Sequence, residues 1–227
     1  THAEFDGTNW HIHGSKAFIS FFNLCSLFFE LTYTDRQAGA RRGMTVFLVD
    51  ANTPGVTLGA SEQKLGLRGA PIGTVYFDNV CVAPTAVLGE AGRGMEVIMS
   101  CLAGARIEVA GQAVGISRRC LALSLDQARQ RKQFGKRIGD FQMIQQIVAD
   151  MMVELDAGEL LALRAVVLRA AGKQCTVEAS MAKLYCTDNA MRHATNAIQV
   201  LGGRGYLRGS GAERMFRDAK VLQIYDG

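Results

Sequence analysis

The segment VLQIYDG places a single carboxylate, Asp226, beside the apolar Ile224 and the ring of Tyr225 at the end of a helical, mostly apolar run. A carboxylate in such surroundings is poorly solvated, so its charged form is disfavoured and its basicity rises toward that of a working general base. The alternative is a frayed terminal acid with no task. Arg106 raises a similar question: it stands in LAGARIEVAGQAVG, where small apolar residues leave a guanidinium in need of a partner. That partner is either an acid on another helix or an anionic ligand. Glu108, two residues on, points elsewhere around the helix.

Three further stretches have residue types suited to binding. QRKQFGKRIGDFQ gathers Arg129, Arg131, Lys132, Lys136 and Arg137 around Phe134. Guanidinium groups offer paired donors to phosphate oxygens and a nearby ring can cover a flat heterocycle, although a solvated connector carries the same charges. IQVLGGRGY follows a helix, so its glycines suit either a helix cap and turn or a place where a ligand approaches bare backbone, with Gln199 as a polar contact. In AFIS, strand alternation sets Phe18 and Ser20 on one face, where a ring and a hydroxyl can meet one flat ligand or simply be part of a sheet. His11 and His13 share a strand face by the same rule, but with no third ligand nearby they do not read as a metal site.

The elements that must position these residues divide the chain in two. Residues 1–88 read as a β unit: NWHIHGSKAFIS alternates, MTVFLVD, GVTLGA and TVYFDNVCV follow, and all three prolines fall among them. Residues 89–227 read as a helical bundle, with helices expected near 92–130, 140–171, 175–201 and 211–225 and apolar positions such as Phe141, Ile144, Val148, Met151 and Leu155 at helical spacing. The expected fold class is thus multi-domain α and β, an antiparallel β domain followed by a four-helix bundle. A content of 48% hydrophobic residues in 227 supports sizeable cores, and a net charge of +4 with interspersed signs argues against a nucleic-acid scaffold. Six scattered cysteines without CxxC spacing read as reduced thiols. No apolar run reaches the roughly 18 residues of a membrane span, FISFFNLCSLFFEL being interrupted at Asn23. The opening Thr1 and the strand-like first residues read as a cut within a domain, as does the end at Gly227.

In order and spacing, KLGLRG, TVYFDNVCVAP, GRGMEVIMSCLAGAR, RKQFGKRIGDFQ, IQVLGGRGY and FRDAKVLQIYDG resemble the acyl-CoA dehydrogenase family over essentially the whole chain. That family has an N-terminal helical domain, a middle β domain and a C-terminal bundle, and this chain resembles the last two. The resemblance implies FAD, with its flavin between the β domain and the bundle. Ser20 matches the hydroxyl residue bonding the flavin, and Phe18 stands where the family usually has Trp beside the ring. Arg131, Gln133 and Phe134, with Gln142 on the following helix, match contacts to the diphosphate and adenine of a neighbouring subunit's FAD. Gln199, Gly202 and Gly203 match a further contact to the same cofactor.

Asp226 falls where the family has its catalytic base, usually Glu, which removes a proton α to a thioester carbonyl while hydride leaves the β-carbon for the flavin. Arg106 matches an arginine near base and ligand, and Tyr225 and Gly227 match residues that shape the acyl pocket. The implied activity is dehydrogenation of an acyl-CoA to the 2,3-enoyl-CoA, as in fatty-acid β-oxidation. The implied partners are the acyl-CoA, further copies of the chain in a dimer or tetramer, and an electron-transfer flavoprotein. The implied compartment is bacterial cytoplasm or mitochondrial matrix. Two alternatives share the scaffold: a flavin oxidase or monooxygenase, and a non-catalytic interaction module.

Overall fold

The structure, a computed structural model, describes all of residues 1–227, which divide into two compact units, Thr1–Cys101 and Leu102–Gly227. The expected boundary at residue 88 falls at the end of the first unit's last strand, and the compact units divide within the long helix that follows.

The first unit is built on strands β1 (His2–Phe5), β2 (Trp10–Ser20), β3 (Leu27–Tyr33), β4 (Met44–Asp50), β5 (Val56–Leu58), β6 (Ile72–Val82) and β7 (Val87–Leu88). They form one sheet in the order β5-β6-β2-β1-β3-β4-β7. Its pairings are antiparallel except that of β1 with β3, which is parallel, so the sheet is mixed rather than purely antiparallel. The run FISFFNLCSLFFEL is cut into the end of β2, a turn at residues 21–24, and the start of β3. The unit is also not purely β, since α1 (Gly39–Arg42) contributes one helical turn.

Its core is β-branched and aromatic, with Ile12, Phe22, Phe47, Val49, Val75 and Val80 buried together. Such side chains pack well on a pleated surface. In β3 the inward positions Phe28, Glu30 and Thr32 alternate with exposed Leu27 and Phe29, and Lys16 stands 3.4 Å from the buried Glu30. Burial pushes the Glu30 carboxyl above its ordinary range, while Lys16 draws it back.

The long helix α2 (Gly94–Gln130) leads from the first unit into the second, which adds β8 (Lys132–Gln133), β9 (Lys136–Arg137), α3 (Gln142–Ala170), α4 (Thr176–Leu201), α5 (Gly203–Tyr206) and α6 (Ala212–Leu222). The last expected helix stops at Leu222, and residues 223–226 turn instead. Helix α2, with an 18-residue window of mean hydropathy 1.3, is long and apolar enough to cross a membrane by length and composition alone, a test that the core helix of a globular unit also passes. Arg106 and Glu108 keep it from being an uninterrupted apolar run.

Small residues on α4 let its neighbours approach closely. Ala179, Ala182, Ala190, Ala194 and Ala197 are buried along it, and Cys186 donates to the carbonyl of Gly158 on α3 at 3.3 Å. Glu154 of α3 accepts from Arg192 and pairs with the fully buried His193 at 2.9 Å. Among the six free cysteines, Cys120, Cys175 and Cys186 are buried.

Candidate functional site

In the second unit, side chains from two helices hold the end of the chain in place. The Arg106 Nε of α2 donates to the main-chain carbonyl of Asp226 at 2.9 Å, and its Nη1 donates to the Ser180 hydroxyl of α4 at 3.0 Å. The Tyr225 hydroxyl donates to Gln112 on α2 at 2.9 Å, and the Gln223 amide donates to Asp188 on α4 at 2.6 Å. Arg106 therefore forms none of the ion pairs expected of a bland structural cation; it fixes backbone. A Cβ at residue 227 would lie 2.7 Å from Arg106 Nη2, so Gly227 is bare where the guanidinium passes.

The Asp226 side chain is half-buried, and its backbone is left-handed at φ 59°. Asp tolerates that conformation better than most residues. Burial pushes its carboxyl above the ordinary carboxylate range, Lys183 and Arg106 pull it back, and Glu108 pushes it up again. Tyr225 is also raised, by burial and then by the Asp226 charge. The result is a carboxylate of raised basicity on an anchored backbone, suited to taking a proton from carbon.

A second site in the same unit is a cleft of about 510 Å³ lined by Arg131, Gln133, Gly202, Gly203 and Arg204, among others. Four residues singled out in the sequence thus meet there. The stretch QRKQFGKRIG is a hairpin rather than a plain connector: β8 and β9 pair, and Phe134 and Gly135 both have positive φ, 52° and 79°. A two-residue hairpin of the tightest kind demands this geometry, which is costly for Phe, and it leaves the Phe134 ring 92% exposed at the tip. Gln142 and Gln199 are exposed and do not line the cleft.

The donors and the bare backbone suit FAD. Two guanidinium groups stand where a diphosphate needs charge-assisted donors, and no atom lies within 4 Å of where a Cβ would point at Gly202 or Gly203. Arg131 and Arg204 would hold the diphosphate, and Phe134 would cover the adenine.

In the first unit, Phe18 sits at a register shift between Lys16 and Ile19 with φ 58°, and its ring is 73% exposed. The bulge re-aims that side chain, and Phe18 and Ser20 are both exposed while Ile19 packs on the core. Ser20 also lines a small cavity of about 170 Å³ with Lys16, Cys25 and Glu30. Phe18, Phe134 and Asp226 are three of the six non-glycine residues with positive φ, so backbone strain gathers at site candidates. His11 bonds to Asp6 and Asn79, and no cluster of three possible metal ligands occurs.

The sequence reading missed Ser180, Gln112 and Lys183. Lys183 is 4% exposed on α4. Its signal was the one that exposed Arg106, a lone cation among small apolar residues in ASMAKLYC.

Comparison with known proteins gives matches along the chain. The family described as "Acyl-CoA dehydrogenase, C-terminal domain" matches residues 92–227, and "Acyl-CoA dehydrogenase, middle domain" matches residues 1–80. Cyclohex-1-ene-1-carbonyl-CoA dehydrogenase of Syntrophus aciditrophicus is 38% identical over 100% of the chain and 55% of its own length. The caffeyl-CoA reductase-Etf complex subunit CarC of Acetobacterium woodii is 38% identical over 97% of the chain and 58% of its own length. Butyryl-CoA dehydrogenase of Megasphaera elsdenii superposes with a TM-score of 0.97 at 36% identity, covering 100% of the chain and 59% of its own. The chain thus spans little more than half the length of these relatives.

Proposed function

The chain belongs to the acyl-CoA dehydrogenase family, and on that premise we propose that it is the catalytic part of an FAD-dependent dehydrogenase that converts an acyl-CoA to its 2,3-enoyl-CoA. The observation that carries this reading is Asp226: a half-buried carboxylate of raised basicity, on a backbone fixed by Arg106 and flanked by the tethered Tyr225. Asp226 takes the α-proton, and bound FAD would supply the acceptor for the hydride that leaves the β-carbon. An α-carbon beside a thioester is a weak acid, so the base must be held within reach without water to level it. Burial supplies the second condition and the tethers supply the first.

Asp226 is one methylene shorter than the Glu usual in the family, and a displacement on the order of 1 Å can cost roughly a hundredfold in rate. The fixed backbone therefore matters more here than it would for a longer arm. Arg131, Gln133, Phe134, Gly202 and Gly203 would hold the diphosphate and adenine of a neighbouring subunit's FAD, while Phe18 and Ser20 would stand at the flavin of this subunit's own. A homo-oligomer accounts for the exposed apolar residues Val153, Leu160, Leu163 and Val167 on α3. The name of the CarC relative supports an electron-transfer flavoprotein as the electron acceptor, and the names of the other two support small or cyclic acyl groups as substrate.

The test is the anaerobic flavin spectrum of the FAD-loaded protein during addition of short, medium, branched and cyclic acyl-CoAs. Bleaching of the oxidised band by one class establishes dehydrogenation and names the substrate class. A flavin that none of them bleaches contradicts it.

A further inference from the structure

Lys183, only 4% exposed on α4, makes no hydrogen bond or ion pair within the chain. A cation so largely withdrawn from water is favoured by an opposite charge nearby. The tethers show where that charge lies. Residues 223–226 are fixed to α4 at both ends of one stretch: Gln223 bonds Asp188, and the Asp226 carbonyl is joined through Arg106 to Ser180. Lys183 falls between those two points along the helix, about one turn beyond Ser180. Arg106 is committed to a carbonyl and a hydroxyl, so it leaves the carboxylate itself without a bonded cation.

We propose that Lys183 is a positioning residue of the site, its ammonium serving as the charge partner that keeps the Asp226 carboxylate in place while Arg106 fixes the backbone beneath it. The inference deepens the proposed function and rests on Asp226 being the base. The charged and titratable groups facing that carboxyl are Arg106 and Glu108 from α2, Lys183 from α4, and Tyr225 from its own segment. Of the charges, Lys183 acts most strongly. Two cations against one further acid leave the site net positive around the carboxylate. Removing Lys183 leaves one of each, so the carboxyl holds its proton to higher pH.

The experiment is an infrared pH titration of the FAD-loaded protein, following the protonated-carboxyl band that Asp226→Asn abolishes, together with the pH profile of anaerobic flavin bleaching. Lys183→Met is expected to raise the titration midpoint by about one pH unit or more and to move the acid limb of the rate profile with it. Lys183→Arg, which keeps the charge, is expected to stay near the wild type. An unchanged midpoint in Lys183→Met overturns the proposal, as does a shift of the same size in Lys183→Arg. If the methionine variant does not fold, Lys183→Gln takes its place. A wild type that binds FAD but is not bleached by any acyl-CoA refutes the proposed function instead, and the infrared midpoint still reads the Lys183 pairing separately.

Discussion

The end of the chain around Asp226 and the hairpin around Phe134 are built on opposite principles. The first is tied down: three of its last five residues are bonded to side chains of α2 or α4, and Gly227 is bare against Arg106. The second is left open: Phe134 is 92% exposed on a strained turn, and the Gln133 side chain bonds only the neighbouring Lys132 carbonyl at 2.8 Å. The contrast follows from what each must do. A base must stand where the proton will be before the substrate arrives, because misplacement raises the barrier directly. Groups that grip a cofactor need only meet it, and the ligand itself satisfies the donors they expose.

Substitutions in the two regions should therefore fail in different ways. Asp226→Asn is expected to slow flavin reduction by about 10²- to 10⁴-fold while FAD stays bound, measured by anaerobic stopped-flow and flavin content. If FAD were lost instead, the division between the regions would break. Arg106→Ala should free the Asp226 carbonyl and the Ser180 hydroxyl, lowering the rate by about a hundredfold and thermal stability measurably, with FAD affinity little changed. Arg131→Ala should do the reverse, weakening FAD binding by about 10- to 100-fold in a fluorescence titration and leaving the turnover of the loaded protein near wild type.

The smallest effect lies outside both regions. Burial holds the His193 ring below its ordinary value of 6.5 despite its bond to Glu154. The unfolded chain therefore binds this proton first, and stability is lost as pH falls from about 6.5 through the lower folded value. Thermal melts across that window should show the loss, and His193→Gln should flatten it.

Much of this arrangement is legible in the sequence because the patterns are local. Helical spacing places α2, α3 and α4 within a few residues of their ends, and AFIS and IQVLGGRGY each announce their element. Asp226 and Arg106 stand out because charge among apolar neighbours is rare. What escapes is long-range or stereochemical. The parallel pairing of β1 with β3 joins segments that carry no mutual signal, and the left-handed backbone of Phe18 and Phe134 contradicts what their residue type favours. Arg106 was identified but not its contact, since a carbonyl acceptor 120 residues away leaves no trace in composition. Lys183 had the same signature as Arg106 and was passed over for want of a motif around it.

The central claim is that Asp226 removes an α-proton as the flavin is reduced, and the most direct measurement is the rate of anaerobic bleaching with acyl-CoA deuterated at the α-carbon. The account predicts that deuterium there slows bleaching in the wild type, and that Asp226→Asn, with FAD bound, scarcely bleaches with either substrate. Bleaching at the wild-type rate in that variant would contradict the account, as would a rate indifferent to α-deuterium and slowed only by deuterium at the β-carbon.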